Sequence, residues 1–383
     1  MHWKTRLIQS QPQDPQEFRS LSSATYRGST VVFESQAKVS DDWRQVEHGY
    51  TYGSFGTPTT LELGSRIAEL EGALHTFVTP GGLAAISLIY LSFCKAGSHV
   101  LLPATAYGPN RELADGLLRR YNIEVERYDP MIGSQIHQFI RSETSLIWCE
   151  SPGSITMDVQ DVPGIVAAGH ARDVPVALDN SYAAGVLFDS FSFGVDVSMQ
   201  ALTKYVGGHS DLLLGSVSAG TTLAYERLGE TLGQLGMVAS PDDCFLAIRG
   251  LQTLGVRLEA LEQSTMAIAK WLVRRPEIES VLHPAFPSCP GHEYWKRDFT
   301  GSASIFSIVF ASTFSPEQVN SFVDALKLFK IGYSWGGVTS LALAYPGLEG
   351  HGKRYAGRIV RLNIGLEKYE DLIDDLAAAI DTL

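Results

Sequence analysis

The stretch that decides the fold is "TSLIWCESPGSITMDVQDVPGIVAAGHARDVPVALDNS", residues 144–181. It opens on "TSLIWCESP", which reads as a buried strand. "VPGIVAAGHAR" follows as a helix, and "VPVALDNS" returns as a second buried strand. Continuous apolar strands alternating with helices mark a parallel sheet covered on both faces.

The same alternation extends outward. Upstream, "TTLELGSRIAELEGA" places Leu63, Ile67 and Leu70 on one helical face. "LAAISLIYLSFCKAG" is a largely apolar helix ended by Gly97. "HVLLPAT" and "IEVERYD" read as strands around a helix in "PNRELADGLLRRYN". Downstream, "VDVSMQALTKY" reads as one more strand. The last third changes character. "PDDCFLAIRGLQTLGVRLEALEQSTMAIAKWLVRR" is helical, broken near Gly250 and Gly255. "ASIFSIVFAS" and "RIVRLNIGLE" are strands. "SPEQVNSFVDALKLF" starts a helix with Ser315 as N-cap and Pro316 in its first turn, and "YEDLIDDLAAAIDTL" is a closing helix. The expected fold is therefore α/β. A large, mostly parallel sheet domain over 58–245, with helices on both faces, precedes a smaller C-terminal α+β domain over 246–383. Residues 1–57 lack periodicity. Their aromatics (Tyr26, Phe33, Trp43, Tyr50, Tyr52, Phe55) favour an arm packed on a neighbour over a disordered tail.

The bulk chemistry narrows the function classes. Over 383 residues, 42 acidic side chains oppose 30 basic ones, a formal charge of −12. No basic excess exists to replace phosphate counterions, so no nucleic-acid partner is expected. The N-terminal "MHWKTRLIQSQPQDPQ" has no apolar core of a signal peptide. Apolar runs break well before the ~18 residues that span a membrane. A cytoplasmic protein without a membrane partner is expected. The four cysteines, Cys94, Cys149, Cys244 and Cys289, form no C-x-x-C pair, so no metal site is expected. Cys94 and Cys149, in apolar runs, read as buried free thiols.

Three segments carry chemistry. "TPGGLAAIS", Thr79–Ser87, is a glycine turn entering a helix. Unpaired N–H groups at such an N-terminus suit a phosphate, although a tight turn alone needs the same residues. In "VPVALDNSYAAG" a buried strand runs into Asp179 and Asn180. In a doubly wound sheet, ligands bind beyond the carboxyl ends of strands, so an acid there faces the cleft; taken alone, it is equally a turn or cap aspartate. "QALTKYVGGHSD" puts Lys204 between Thr203 and a glycine turn, 25 residues after Asp179. A phosphate-suited turn, an acid for a pyridinium nitrogen and a lysine for an aldehyde together match one cofactor, pyridoxal 5'-phosphate (PLP). Tyr107, in "PATAYGPN", follows a strand and suits a flat ring. Arg361 lies within an apolar strand and needs an anion. A substrate carboxylate and a structural ion pair both fit.

On these residues the chain resembles the Cys/Met-metabolism PLP enzymes of fold type I, the aspartate-aminotransferase-like class, and among them the cystathionine β-lyases. The stretches that carry the resemblance run from about Tyr26 to the C-terminal strand. They include "YGSFGTPTT", "TPGGLAA", "AYGPN", "ESPGSITMDVQDVPGIV", "LDNSYAAGVLF", "QALTKYVGGHSD", "IRGLQTLGVRL", "YSWGG" and "RLNIGLE". The resemblance implies that Lys204 binds the cofactor aldehyde and later moves the proton. Asp179 would pair with the ring nitrogen and Tyr107 would stack on the ring. The N–H groups of Gly81, Gly82 and Leu83, with the Thr203 hydroxyl, would hold the phosphate. Arg361, helped by Ser334 and Trp335, would bind the substrate α-carboxylate. Tyr52 would enter from a neighbouring subunit of a homotetramer built from dimers with shared sites. The implied reaction is β-elimination of cystathionine, or a related sulfur amino acid, to homocysteine or another thiol, pyruvate and ammonia. Tyr333 in "YSWGG" stands where γ-eliminating and γ-replacing relatives tend to carry glutamate. The alternatives are a γ-synthase or γ-lyase, a specialised relative with another sulfur amino acid, and a non-catalytic PLP-fold protein.

One position departs from the family. Its Tyr-x-Arg motif is Tyr52-Gly53-Ser54 here. Losing that arginine's charge-assisted phosphate bond costs about 1.5–3 kcal/mol unless another group replaces it. Lys38, Arg44 and His48 are the candidates on the same arm.

Overall fold

The structure, a computed structural model, describes residues 2–9 and 20–383. Residues 1 and 10–19 of the expected arm lie outside the described residues.

The deciding stretch folds as expected, into a strand over Thr144–Glu150, a helix over Val162–His170 and a parallel strand over Val176–Asp179. Asp161 caps the helix by accepting from the Gly164 N–H. Along the first strand, Leu146 and Trp148 join the core beneath the helix Gly82–Phe93. Ile147 and Cys149 join the core beneath the helix Val162–His170. Both faces are covered, which is why the run is apolar throughout.

The main sheet has seven strands: β1 (His75–Thr79), β2 (His99–Pro103), β3 (Glu124–Tyr128), β4 (Thr144–Glu150), β5 (Val176–Asp179), β6 (Val197–Gln200) and β7 (Gly215–Ala219). Their order is β1-β7-β6-β5-β4-β2-β3. Only β7 runs against its neighbours. The second sheet holds β8 (Ile278–Leu282), β9 (Ile305–Phe310), β10 (Lys330–Ile331), β11 (Leu341–Ala344) and β12 (Ile359–Asn363), in the order β10-β11-β12-β9-β8. The helices Pro316–Ala325 and Tyr369–Ile380 cover it. Ser315 and Gln318 form the expected N-cap as a reciprocal capping box.

Three expectations change. The strand read in "VDVSMQALTKY" stops at Gln200. Beyond it the chain turns, with the Lys204 N–H donating to the Ala201 carbonyl and the Gly207 N–H to that of Leu202. The helix Pro241–Leu272 is continuous for 32 residues and does not break at its glycines. A Cβ on Gly250 would lie 2.1 Å from the Val206 carbonyl oxygen, and one on Gly255 would press on Trp3 and Lys4. These glycines permit close packing. Cys94, at the C-terminal end of the helix Gly82–Phe93, is half-buried, whereas Cys149 is buried as expected.

The arm begins with a helix, Trp3–Gln9, that the sequence pattern did not disclose. Further along, Trp43 packs on this chain's own Tyr225 and Phe77, and Gly229 leaves the space for its ring. Among the described residues, no helix is long and apolar enough to cross a membrane.

Candidate active site

Glu150 and Asp179 end neighbouring parallel strands and stand directly opposite each other in register. Both carboxyl groups therefore reach the carboxyl edge of the sheet, where the cavity opens. Its volume is about 290 Å³. Gly81, Gly82 and Leu83 line it, as do Tyr107, Asp179, Thr203, Lys204 and Trp335. Sequence segments from five separate places thus converge on one space. A Cβ on Gly82 would lie 2.9 Å from the Ala201 methyl, so glycine lets the helix start approach the turn that carries Lys204.

Lys204 is the electrostatic centre. Its Nζ donates to Ser334 Oγ at 2.7 Å and sits 5.3 Å from the Trp335 ring centroid. Burial, then the nearby Arg361 charge, pull its pKa down to about 8 against the opposing pull of Asp179. Burial raises the Asp179 carboxyl above its usual range, opposed by the Ser181 N–H and by Lys204. Glu150 is pushed up further, by burial and by Asp179 beside it. Its carboxylate accepts the Tyr107 N–H at 2.8 Å, which fixes the backbone of the expected stacking residue.

The loop after β10 closes the site. Ser334 has φ +84°, a left-handed conformation that costs a non-glycine residue. At Gly336 a Cβ would lie 3.0 Å from the Tyr205 N, so the loop comes down onto the Lys204 turn only with glycine there. Asn363 Oδ1 accepts the Gly336 N–H and ties the loop to β12, the strand of Arg361. Arg361 is buried, and burial lowers its pKa. Among the described residues no carboxylate pairs with it. Its guanidinium lies 5.4 Å from the Tyr345 ring centroid.

Other expected residues sit apart. Tyr52 is 49% exposed on the arm and does not line this cavity. Tyr333 is 81% exposed and lines an adjoining space with Ser334, Trp335 and Thr203. The Thr203 hydroxyl accepts from the Leu214 N–H and donates to its carbonyl. The three candidates to replace the missing arginine all face carboxylates of this chain: Lys38 meets Glu34, Arg44 meets Asp42 and Glu226, and His48 meets Asp42.

The sequence profile of the Cys/Met metabolism PLP-dependent enzymes matches residues 4–381. The chain belongs to that family. It is 38% identical to the cystathionine beta-lyase MetC of Escherichia coli, over 98% of this chain and 97% of that one. It is 37% identical to an L-alanine/L-glutamate racemase of Wolbachia pipientis, over 95% of this chain and 93% of the other. A crystal structure of cystathionine gamma synthase from Xanthomonas oryzae, in complex with aminoacrylate and cysteine, superposes with a TM-score of 0.91 at 26% identity, covering all of both chains.

The cavity fits the family's cofactor on its own donor set. Helix N–H groups stand at Gly82 and Leu83 for a phosphate, a carboxylate at Asp179 for a ring nitrogen, and a primary amine at Lys204 for an aldehyde. Sequence reasoning missed Glu150, although an acid ending a buried strand is the same signal that disclosed Asp179. It also missed Tyr345, whose part depends on strand pairing. A further group with metal-ligand spacing, His99, Glu124 and Glu126, lies at the far edge of the main sheet, and there Arg141 already bridges the two glutamates.

Proposed function

We propose that this chain is a PLP-dependent carbon–sulfur β-lyase that eliminates a thiol from L-cystathionine or a related cysteine S-conjugate. The observation that carries the reading is Lys204. Its amine is part-buried, is drawn down to about 8, and is held by Ser334 at a cavity that Asp179 also lines, with the Arg361 charge nearby. An amine with that pKa is roughly one tenth free base at pH 7 and half at pH 8, far more than an ordinary lysine, which suits a proton-transfer group.

Bound in the cavity, PLP supplies an electron sink for the negative charge that forms at the substrate α-carbon. The chain's residues do the rest. Gly81, Gly82, Leu83 and Thr203 hold the phosphate. Tyr107 stacks on the ring, with its backbone fixed by Glu150. Asp179 keeps a proton on the ring nitrogen. Arg361, with Ser334 and Trp335, takes the substrate α-carboxylate. Lys204 Nζ would take the proton from the substrate α-carbon, and the C–S bond at the β-carbon would break with its electron pair leaving on the thiolate. With one water consumed, the products are the thiol, pyruvate and ammonia; cystathionine gives homocysteine.

The same reading makes the protein a cytoplasmic homotetramer of dimers that share active sites. Its arm over 1–57 carries Tyr52 to the neighbouring subunit. Residues 58–245 form the cofactor domain and 246–383 the smaller one. The exposed Tyr333, where γ-enzymes tend to carry glutamate, favours β- over γ-chemistry. Racemisation is the second reading, because the Wolbachia relative is named for it and it begins with the same α-proton removal.

Product identification tests the proposal. L-Cystathionine is expected to yield pyruvate and homocysteine. Mainly 2-oxobutyrate and cysteine would replace the reading by γ-elimination. Interconversion of L- and D-alanine without pyruvate release would replace it by racemisation.

A further inference from the structure

Arg361 poses a problem of balance. A buried guanidinium is costly unless it is paired and hydrogen-bonded. Yet no carboxylate pairs with it among the described residues, and a phenol ring, that of Tyr345, lies 5.4 Å from centroid to guanidinium carbon. The strand pairing explains the contact. Leu343 of β11 stands opposite Arg361 of β12, and the Tyr345 N–H donates to the Ile359 carbonyl. Residues two apart share a face, so Tyr345 and Arg361 are diagonal neighbours on one face of the second sheet, within reach of an aromatic ring and a long side chain. Tyr107 and Tyr333 also lie close enough to act electrostatically on Arg361. Three phenols thus act on the cation, beside the Lys204 amine.

A ring and a carboxylate hold a guanidinium differently. A carboxylate accepts its N–H bonds and cancels its charge, so an incoming anion must displace it. A ring attracts the cation through its π-face and accepts none of the in-plane N–H bonds. We propose that Tyr345 is a positioning residue for substrate: its ring holds the Arg361 guanidinium in place while leaving that group's charge and N–H edge for the substrate carboxylate. The inference rests on the reading of Arg361 as the carboxylate-binding group.

The test uses the cofactor-loaded enzyme, with Tyr345→Leu, Tyr345→Phe and Arg361→Ala. One readout is KM and kcat for L-cystathionine. The other is the dissociation constant of butyrate, a carboxylate that has no amine and cannot react, titrated calorimetrically. Circular dichroism and cofactor absorbance confirm folding and loading for each variant. Tyr345→Leu is expected to raise KM and the butyrate constant about tenfold, as loss of a desolvated cation–π contact would. Its kcat should change less than about threefold. Tyr345→Phe, which keeps the ring, should restore both constants to within about twofold. If Tyr345→Leu leaves both constants unchanged while Arg361→Ala weakens them, the inference falls and the parent reading stands. If Tyr345→Phe is as impaired as Tyr345→Leu, the hydroxyl acts and the ring-face account falls. If Arg361→Ala leaves butyrate binding unchanged, the parent reading fails and this inference falls with it.

Discussion

Arg257 and Arg361 are both buried guanidiniums, 6% and 8% exposed. Among the described residues neither pairs with a carboxylate. Arg257 is nevertheless satisfied. It donates to the carbonyls of Tyr205 at 2.6 Å, Gly250 at 2.7 Å and Val206 at 3.4 Å, and to Thr253 Oγ1 at 3.1 Å. Burial lowers its pKa to about 10, so it stays charged at neutral pH. It clamps the turn after Lys204 to the long helix. Arg361 has no such acceptor among the described residues, and its guanidinium lies 5.4 Å from the Tyr345 ring centroid. The difference teaches a rule for this molecule. A cation that the chain satisfies with its own carbonyls supports structure, and one left without a carbonyl or carboxylate acceptor belongs to the ligand. Lys204, bonded only to the Ser334 hydroxyl, is of the second kind.

The comparison can be broken at four points. The largest effect is expected at Lys204. Lys204→Ala should lower β-elimination by about 10⁴-fold or more, since nucleophile and base are lost together. Its circular dichroism spectrum should match the wild type. Near-normal pyruvate release would end the assignment.

Arg361→Ala should lower kcat/KM for L-cystathionine by about 10²–10³-fold, or roughly 3–4 kcal/mol, with little change in melting temperature. Arg257→Met should show the opposite pattern. It takes the Arg257 N–H donors from the buried Tyr205 and Val206 carbonyls and costs about 2–3 kcal/mol of stability, read as an earlier denaturant midpoint. Arg257→Met acting on KM alone would erase the distinction.

Gly250→Ala tests the close packing beside Arg257. The new methyl would meet the Val206 carbonyl at 2.1 Å. Separation of the helix from the Lys204 turn should cost about 1–3 kcal/mol in the same denaturant measurement. A stabilised variant would show that the helix needed no glycine there.

The smallest effect is a matter of pH. In cofactor-free protein, Lys204 should react with an acylating reagent half-maximally near pH 8, because its amine is protonated below that value and free above it. Ordinary lysines, with pKa near 10.4, should lag by about two pH units. Peptide mass analysis at each pH separates them. A Lys204 profile like that of the surface lysines would contradict the burial argument.

These sites differ in how far sequence discloses them. The layered sheet, Asp179 and the Lys204 turn were legible because apolar runs, strand ends and glycine turns are local signals. The edge strand β1 and its neighbour β7 were not. "GSVSA" is made of small residues and gains its strand from pairing on both sides. Gly250 and Gly255 were misread because one dimension does not separate a glycine that ends a helix from one that admits a neighbour. Glu150 carried a readable signal that went unused. Tyr345 carried none, because its contact with Arg361 arises from the register of β11 against β12. What replaces the family arginine at Ser54 is likewise invisible in sequence, and the arm's own cations are engaged by Asp42, Glu34 and Glu226.

The central claim is that, among the described residues, Lys204 Nζ meets no carbonyl or carboxylate because the cofactor is its partner. The most direct measurement is borohydride reduction of the cofactor-loaded enzyme, followed by peptide mapping. The account predicts the mass of one pyridoxyl phosphate group on the peptide bearing Lys204, and on no other lysine. The label on a different lysine, or no stable label at all, would contradict it.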